Sequence, residues 1–543
     1  MSDPSGSPVI PTPTFPRLAD YARHWAERHP EREAAVMDDI RITYGELAAR
    51  VADLSRALLA NGVVHGDRVA MLTAPHPEFL VSMLATTDIG GVWLGLHPRY
   101  QLPELHHVVD EAKPKVVFAF DPIDDRDYGQ ELAALADTHP CIEKIVVLGE
   151  ETDAARGYEN FVASGSATDL PTLQRARSAA QSEDTAVIIF TSGTTGRPKG
   201  AMLSHHTLIS GGCTQNDHWP SSHMRLLQNM PPNHIACLGM STAQALVSGG
   251  TTVFVDRFEP RRMLDAIERE KITFFMHAPA IHQMLIDEPG FSERDLSSLE
   301  YWLWGGAPAP IALVERLRAH GVKVGTAFGM TELGAYVCFT DTDAGSDVLS
   351  ETIGRPEDRY QLRLADANGS PAPPGRNGEI QARGDWLLNG YFNQPDATRA
   401  AYTPDGWFRT GDIAIERDDG NWTLVGRVKE MFKSGGFNVY PREVELAIES
   451  HPDVAMAAVI GIPDSRWHEV GYAFVQAAQH AKLDTASLDA WCRERIANYK
   501  IPKTFELTAM LPRLPIGKID KQALKRELLH RTTESESCQR TRD

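Results

Sequence analysis

Two hydrophobic periods alternate along this chain. From Thr43 the apolar residues Leu47, Val51, Leu54 and Leu58 recur at helical spacing, Thr43 and Glu46 form a capping box, and Asn61-Gly62 supplies a stop. The spacing predicts an amphipathic helix. Short apolar runs follow at Val116 to Phe120, Lys144 to Leu148, Ala186 to Phe190, Thr251 to Val255 and Thr273 to Met276, alternating with helical stretches. Runs this short and this apolar suit strands covered on both faces. The chain therefore reads as an α/β protein with largely buried sheets.

Between Asp366 and Arg383 the composition shifts to Gly, Pro and Asn, and the residues beyond read as short strands with turns at Asp405-Gly406 and Asp419-Gly420. This predicts a small β-rich layer closing the large domain. After Gly426 the pattern changes again. A helix is expected from Pro441 through Val444, Ala447 and Ile448, strands at Ala455 to Ile460 and Tyr472 to Gln476, and a second helix at Ala486 to Ala497. That is the size of an independent α+β unit.

At 543 residues the chain exceeds one ordinary domain of about 100–200 residues, which agrees with that division. A net charge of −19 sets the long-range field against nucleic acid and anionic lipid. It does not exclude ATP, because phosphate pockets are built from local N–H groups, a few cations and a metal ion. The six cysteines show neither Cys-x-x-Cys nor zinc spacing, as expected in a reducing cytoplasm. The Pro- and Ser-rich start lacks the features of a secretory signal, and no run approaches the ~18 apolar residues of a membrane span.

The strongest chemical signal is TSGTTGRPKG, Thr191 to Gly200, directly after an apolar run. Glycine, serine and threonine offer N–H and hydroxyl donors to phosphate oxygens, with Lys199 as a point charge. It is not a Walker A loop: Gly200 stands where Ser or Thr should follow the lysine, and Pro198 opposes an immediate helix. With TYGEL at Thr43, GDRVA at Gly66 and GKIDK at Gly517, all in order, the sequence resembles the adenylate-forming superfamily of acyl-CoA synthetases, non-ribosomal peptide adenylation domains and beetle luciferases over nearly its whole length.

That resemblance implies roles. Thr191, Ser192, Gly193, Thr194, Thr195, Gly196 and Lys199 correspond to the loop on the β- and γ-phosphates. Gly305, Gly306, Ala307 and Pro308 correspond to the adenine-side segment. In FGMTE, Phe328 and Gly329 lie where an aromatic stacks on adenine, Thr331 where the α-phosphate is touched, and Glu332 where Mg²⁺ is held; Phe328 replaces the more usual tyrosine and keeps the stacking face. Asp412 and Arg427 resemble the ribose-gripping pair, His234 the histidine between acyl and ATP sites, and Lys518 the C-terminal catalytic lysine. Lys429 takes the hinge position, and Ser434, Gly435 and Gly436 the hairpin that forms the pantetheine tunnel.

The implied organisation is a flexible N-terminus (1–16), an AMP-binding domain (17–426), a hinge (427–430), a mobile catalytic lid (431–530) and a disordered tail (531–543). The acyl pocket is expected at Ile235, Ala236, Cys237, Leu238, Met240, Ala278 and Trp304, with Gly329 and Val337 nearby. These are mostly apolar and include no cation, which predicts a hydrophobic monocarboxylate: fatty, alicyclic, aromatic or steroid-like. Trp304 departs from the family pattern, either shortening the pocket or packing behind it, and HPRY at His97 departs where relatives carry Asn-Pro.

The expected activity is a two-step acyl-CoA synthetase using ATP, Mg²⁺ and CoA. The sequence shows no phosphopantetheine site after Lys518, which favours CoA over a carrier protein. Delivery of acyl-AMP to a carrier protein or other acceptor, and an inactive nucleotide-binding protein, stay open as alternatives. No nucleic-acid partner is expected, and the oligomeric state is undetermined, a homodimer being one option.

Overall fold

The computed structural model describes residues 14–123, 125–149, 155–191, 198–435, 437–464, 466–478, 481–513, 519–528 and 531. Among these, a nine-stranded sheet runs in the order Arg355–Pro356, Tyr336–Phe339, Lys323–Gly329, Tyr301–Gly305, Phe274–His277, Arg225–Gln228, Thr251–Phe254, Glu33–Met37 and Ile40–Thr43. An eight-stranded sheet runs Gly390–Tyr391, Lys199–Ser204, Thr185–Thr191, Val92–Leu96, Arg68–Leu72, Val116–Asp121, Lys144–Gly149 and Arg156–Gly157. The central strands of both are parallel and bear helices, as their continuous apolar runs predict.

The helix Tyr44–Ala60 forms as expected, with the reciprocal Thr43 and Glu46 caps in place and Leu47, Val51, Leu54 and Leu58 buried. The predicted β-rich layer is an antiparallel sheet of Gln361–Ala365, Gly378–Arg383, Phe408–Glu416 and Trp422–Arg427. Its first strand precedes the composition shift at Asp366 that announced it.

Beyond Arg427 a separate sheet pairs Phe437–Val439, Phe432–Ser434, His468–Ala477 and Val454–Asp464. Two expectations need correction here. The strand seen as Ala455 to Ile460 extends to Asp464, because its hairpin pairing continues through Gly461 opposite Gly471 to Asp464 opposite His468, beyond the apolar run. The helix expected to Ala497 is Thr485–Arg493, since Arg495 and Ile496 both donate to the Cys492 carbonyl and tighten into a turn. A further strand, Thr504–Thr508, lies parallel to His468–Ala477 and had no apolar run to signal it.

The apolar cores divide at the same place. Three clusters draw on residues from Leu18 to Trp422, and two others on residues from Phe432 to Leu524, with none shared across the boundary. No described helix is long and apolar enough to cross a membrane.

Candidate active site

The site forms where the carboxyl ends of the parallel strands meet the edge of the second sheet. The strand Thr185–Thr191 turns back as Lys199–Ser204 with Thr191 opposite Lys199, so the glycine- and hydroxyl-rich connection is held at both feet; Ser192, Gly193, Thr194, Thr195 and Gly196 lie outside the described residues. The ammonium of Lys199 stands 5.1 Å from the centre of the Tyr391 ring. Tyr391 in turn donates its hydroxyl to Glu332 Oε1 at 2.9 Å. Tyr391 escaped the sequence reading. Its strand Gly390–Tyr391 pairs with Lys199–Ser204, a two-residue element with no periodicity to detect.

Glu332 lies on the short 3₁₀ turn Thr331–Leu333 after Lys323–Gly329 and is 7% exposed. Burial raises its pKa, while Tyr391 and Arg427 act in the opposite sense. Arg427 donates from Nε to Asp412 Oδ1 at 2.7 Å, the two facing each other in register on adjacent strands. The Asp412 side chain is almost fully covered at 1% exposure, whereas that of Arg427 is half exposed at 51%, which leaves the guanidinium able to meet a ligand.

Lys429 follows two residues later. Although the side chain is exposed, loss of some hydration, then the charges of Lys199 and Arg427, depress its pKa, while Glu332 and Asp412 pull the other way. The charges of Lys199, Glu332, Asp412 and Arg427 thus all act on Lys429.

Gly305 pairs with Ala327, which places Gly305, Gly306, Ala307 and Pro308 beside Phe328 and Gly329. Gly306 has φ +78°, a conformation that disfavours any side chain. His234 caps the short helix Ile235–Cys237, its Nδ1 accepting from the Ala236 N–H at 3.1 Å. A π-helical segment, Leu238–Thr242, follows, and its Gly239 is so close to the Thr331 turn that an added Cβ would lie 2.4 Å from the Gly334 carbonyl oxygen. Within HPRY, His97 Nδ1 accepts from the Arg99 N–H at 2.9 Å, and the Tyr100 hydroxyl accepts from Asn233 at 3.2 Å.

Ile235, Cys237, Leu238 and Met240 are buried and Ala236 is half-buried, all against the core on one face of the nine-stranded sheet. Ala278 caps the next helix, beyond His277. Trp304 requires correction as a pocket residue. Alternation along Tyr301–Gly305 sends Tyr301 and Leu303 to the pocket-side core and Trp302 and Trp304 to the opposite one, where Trp304 is fully buried. It packs behind the pocket.

Ser434 is buried within its own unit, opposite His468, and Gly435 takes φ +58° against the Trp467 ring. Gly436 and Lys518 lie outside the described residues. No group of three or more His, Cys, Asp or Glu among the described residues could hold a metal by itself. The buried carboxylate of Glu332 nevertheless fits Mg²⁺, which binds through one or two carboxylates together with substrate phosphates.

The AMP-binding enzyme family profile matches residues 22–392 and the AMP-binding enzyme C-terminal domain profile residues 443–518. A feruloyl-CoA synthase from Amycolatopsis is 37% identical over 505 residues, covering 92% of this chain and 97% of that protein. A methyl-dioxo-octahydroindenyl-propanoyl:CoA ligase from Mycobacterium tuberculosis is 35% identical over 507 residues, covering 91% and 96%. The crystal structure of ATP-bound MatB from Rhodopseudomonas palustris superposes with TM-score 0.80 at 29% identity, covering 94% of this chain and 99% of that one. By these matches, the chain that brings Lys199, buried Glu332 and the Asp412–Arg427 pair together belongs to the AMP-binding enzyme family, as a ligase of the acyl-CoA synthetase type.

Proposed function

We propose that this chain joins a largely apolar, ring-bearing carboxylic acid to CoA in two steps. The observation that carries the reading is the line from Lys199 through Tyr391 to Glu332, next to the Asp412–Arg427 pair. In the first step a carboxylate oxygen attacks the α-phosphorus of ATP and pyrophosphate leaves. Lys199 and the loop hold the β- and γ-phosphates, Asp412 and Arg427 take the ribose hydroxyls, and Phe328 lies against adenine. Magnesium held at Glu332 would supply charge neutralisation for the departing pyrophosphate. Lys518 is assigned the bridge between carboxylate and α-phosphate.

In the second step the CoA thiol attacks the acyl carbonyl and AMP leaves. We place the hinge at 427–430, between the AMP-binding domain 17–426 and the lid 431–530, so that rotation exchanges Lys518 for the hairpin at Ser434 to Gly436. Exposed Phe437 stacked on Tyr499, with Lys500 nearby and Trp467 under Arg466, gives that hairpin rings and cations suited to a nucleotide thiol. The five described cysteines are unpaired, which supports a reducing, cytoplasmic setting. Ring-bearing acids are favoured by the acyl groups in the two relatives' names and by the apolar wall at Ile235 to Met240.

The test is a panel of aromatic, alicyclic and fatty acids assayed for acid-dependent pyrophosphate release, with and without CoA. Release with a ring-bearing acid and conversion to thioester with CoA is the expected result. Acyl-AMP that forms and is consumed only by an amine or a carrier protein would replace CoA as acceptor.

A further inference from the structure

Where the phosphate loop rejoins the sheet at Pro198, one backbone carbonyl outlasts the strand beside it. Lys199–Ser204 lies between Thr185–Thr191 and the short strand Gly390–Tyr391. On the Gly390–Tyr391 side its alternate carbonyls are taken in turn: Met202 accepts from the Asn389 N–H at 2.8 Å and Gly200 from the Phe392 N–H at 2.8 Å. Pro198 carries the next carbonyl in that series. The neighbouring strand has by then turned away, because Asn393 takes φ +53° and the helix Pro395–Ala400 begins. The Gln394 N–H, which would come next, is spent on the Tyr391 carbonyl at 3.0 Å. A backbone acceptor at such a place calls for a donor from elsewhere.

His107 supplies it. This residue lies on the helix Leu102–Ala112, and its Nε2 stands 3.4 Å from the Pro198 carbonyl oxygen, with the ring edge-on to Phe190. A carbonyl only accepts, so Nε2 is the donor. One turn further along the helix, the Glu111 carbonyl accepts from Asn393 Nδ2 at 3.4 Å, so the same helix also holds the turn that ends the neighbouring strand. The helix is a firm support. Leu105, Val108, Val109 and Ala112 are buried against the eight-stranded sheet, and His106 Nδ1 lies 2.6 Å from Nε2 of buried His139.

The Pro198–Lys199 peptide is planar, so a bond to its oxygen fixes the plane from which Lys199 departs. Thr191 holds Lys199 from one side as its strand partner, and His107 holds the preceding carbonyl on the other. Lys199 is the cation assigned to the β- and γ-phosphates, and its ammonium already lies over the Tyr391 ring. We propose that His107 is a positioning residue for ATP: by holding the Pro198 carbonyl it aims Lys199 at the polyphosphate, and it takes no part in the thiol step. This rests on the ligase reading above, in which Thr191 to Lys199 grip the phosphates, and adds to it a residue outside every motif of the sequence.

The experiment compares the wild type with His107→Phe, which keeps a ring beside Phe190 and loses the donor, and with His107→Gln, which keeps a donor. Each is assayed for kcat/KM for ATP in pyrophosphate release, using the acid of the panel above that the wild type turns over fastest. Each is assayed separately for thioester formation from supplied acyl-AMP and CoA, where no β- or γ-phosphate is present. Thermal unfolding of each variant confirms that it is folded. His107→Phe is expected to lower kcat/KM for ATP about tenfold and to leave thioester formation within about twofold, while His107→Gln returns kcat/KM for ATP to within about threefold of the wild type. An unchanged kcat/KM for ATP in His107→Phe, equal losses in the two half-reactions, or a glutamine no better than phenylalanine overturns the inference while leaving the ligase reading intact. A wild type that releases no pyrophosphate with any acid overturns the ligase reading, and the inference with it.

Discussion

Tyr391 joins the two charges that the motifs supply separately, its ring beneath Lys199 and its hydroxyl on Glu332. Tyr391→Phe keeps the ring and removes the orienting hydrogen bond. Losing a support of this kind commonly costs 10–100-fold, so acid-dependent pyrophosphate release should fall about tenfold, with a raised magnesium requirement. Titrating Mg²⁺ in that assay checks it, and an unchanged requirement would remove Tyr391 from the site. A second residue acts on stability. Burial alone would raise the Glu357 pKa, but hydrogen bonds from His218 and Arg359 outweigh it and bring it from the ordinary 4.5 to about 2. A carboxylate depressed in the folded state contributes stability above its unfolded pKa, and that contribution is lost as pH falls from about 4.5 to about 2. Glu357→Gln should therefore unfold at lower denaturant at pH 7, by on the order of 2–3 kcal/mol, and match the wild type near pH 2. The motif residues were legible because each lies in a dense run of special types, such as Gly, Thr and Lys around Thr191. Tyr391 was not, because its significance comes from neighbours far away in sequence.

Among the elements, helices with caps and strands with unbroken apolar runs could be read directly, as Tyr44–Ala60 and Val116–Asp121 illustrate. Strands whose partners dictate their length could not. Val454–Asp464 runs on through a glycine pair, and Thr504–Thr508 exists because His468–Ala477 offers it an edge. The face on which Trp304 lies follows from alternation alone, once the strand Tyr301–Gly305 is fixed in register beside Phe274–His277. The segment after Arg427 is where a backbone change is cheapest, because Val428 and Lys429 are exposed. Lys429→Pro restricts that change by fixing φ. It should spare acid-dependent pyrophosphate release and suppress thioester formation at least tenfold, assayed separately with ATP plus acid and with supplied acyl-AMP plus CoA. Equal losses in both assays would place the rotation elsewhere.

For the molecule as a whole, the decisive feature is that no apolar cluster of described residues crosses the boundary between Leu424 and Phe432. At the connection itself Lys521 reaches Glu430 at 2.8 Å, and Tyr440 packs on Gly426, where an added Cβ would lie 3.1 Å from the Tyr440 Cβ. Such contacts are exchangeable, as relative motion of two units requires. Limited proteolysis should therefore cut first within 427–431 and release two resistant fragments. ATP with a turned-over acid should change the rate of that cut, while ATP alone on a Lys199→Ala variant should not. Cleavage that began inside either core would contradict the division.

The tightly packed glycines at the ends of Tyr301–Gly305 and Lys323–Gly329 also set the direction in which this enzyme can be retooled. Gly329 faces main-chain oxygen at a distance no side chain survives, and the hydroxyl of Tyr336 leaves barely a methyl's room over Gly305. Mutant libraries that randomise those two positions would return mainly misfolded protein. Diversity placed instead at Ile235, Ala236 and Met240 leaves that backbone unaltered, and that is where altered acid preference should be sought.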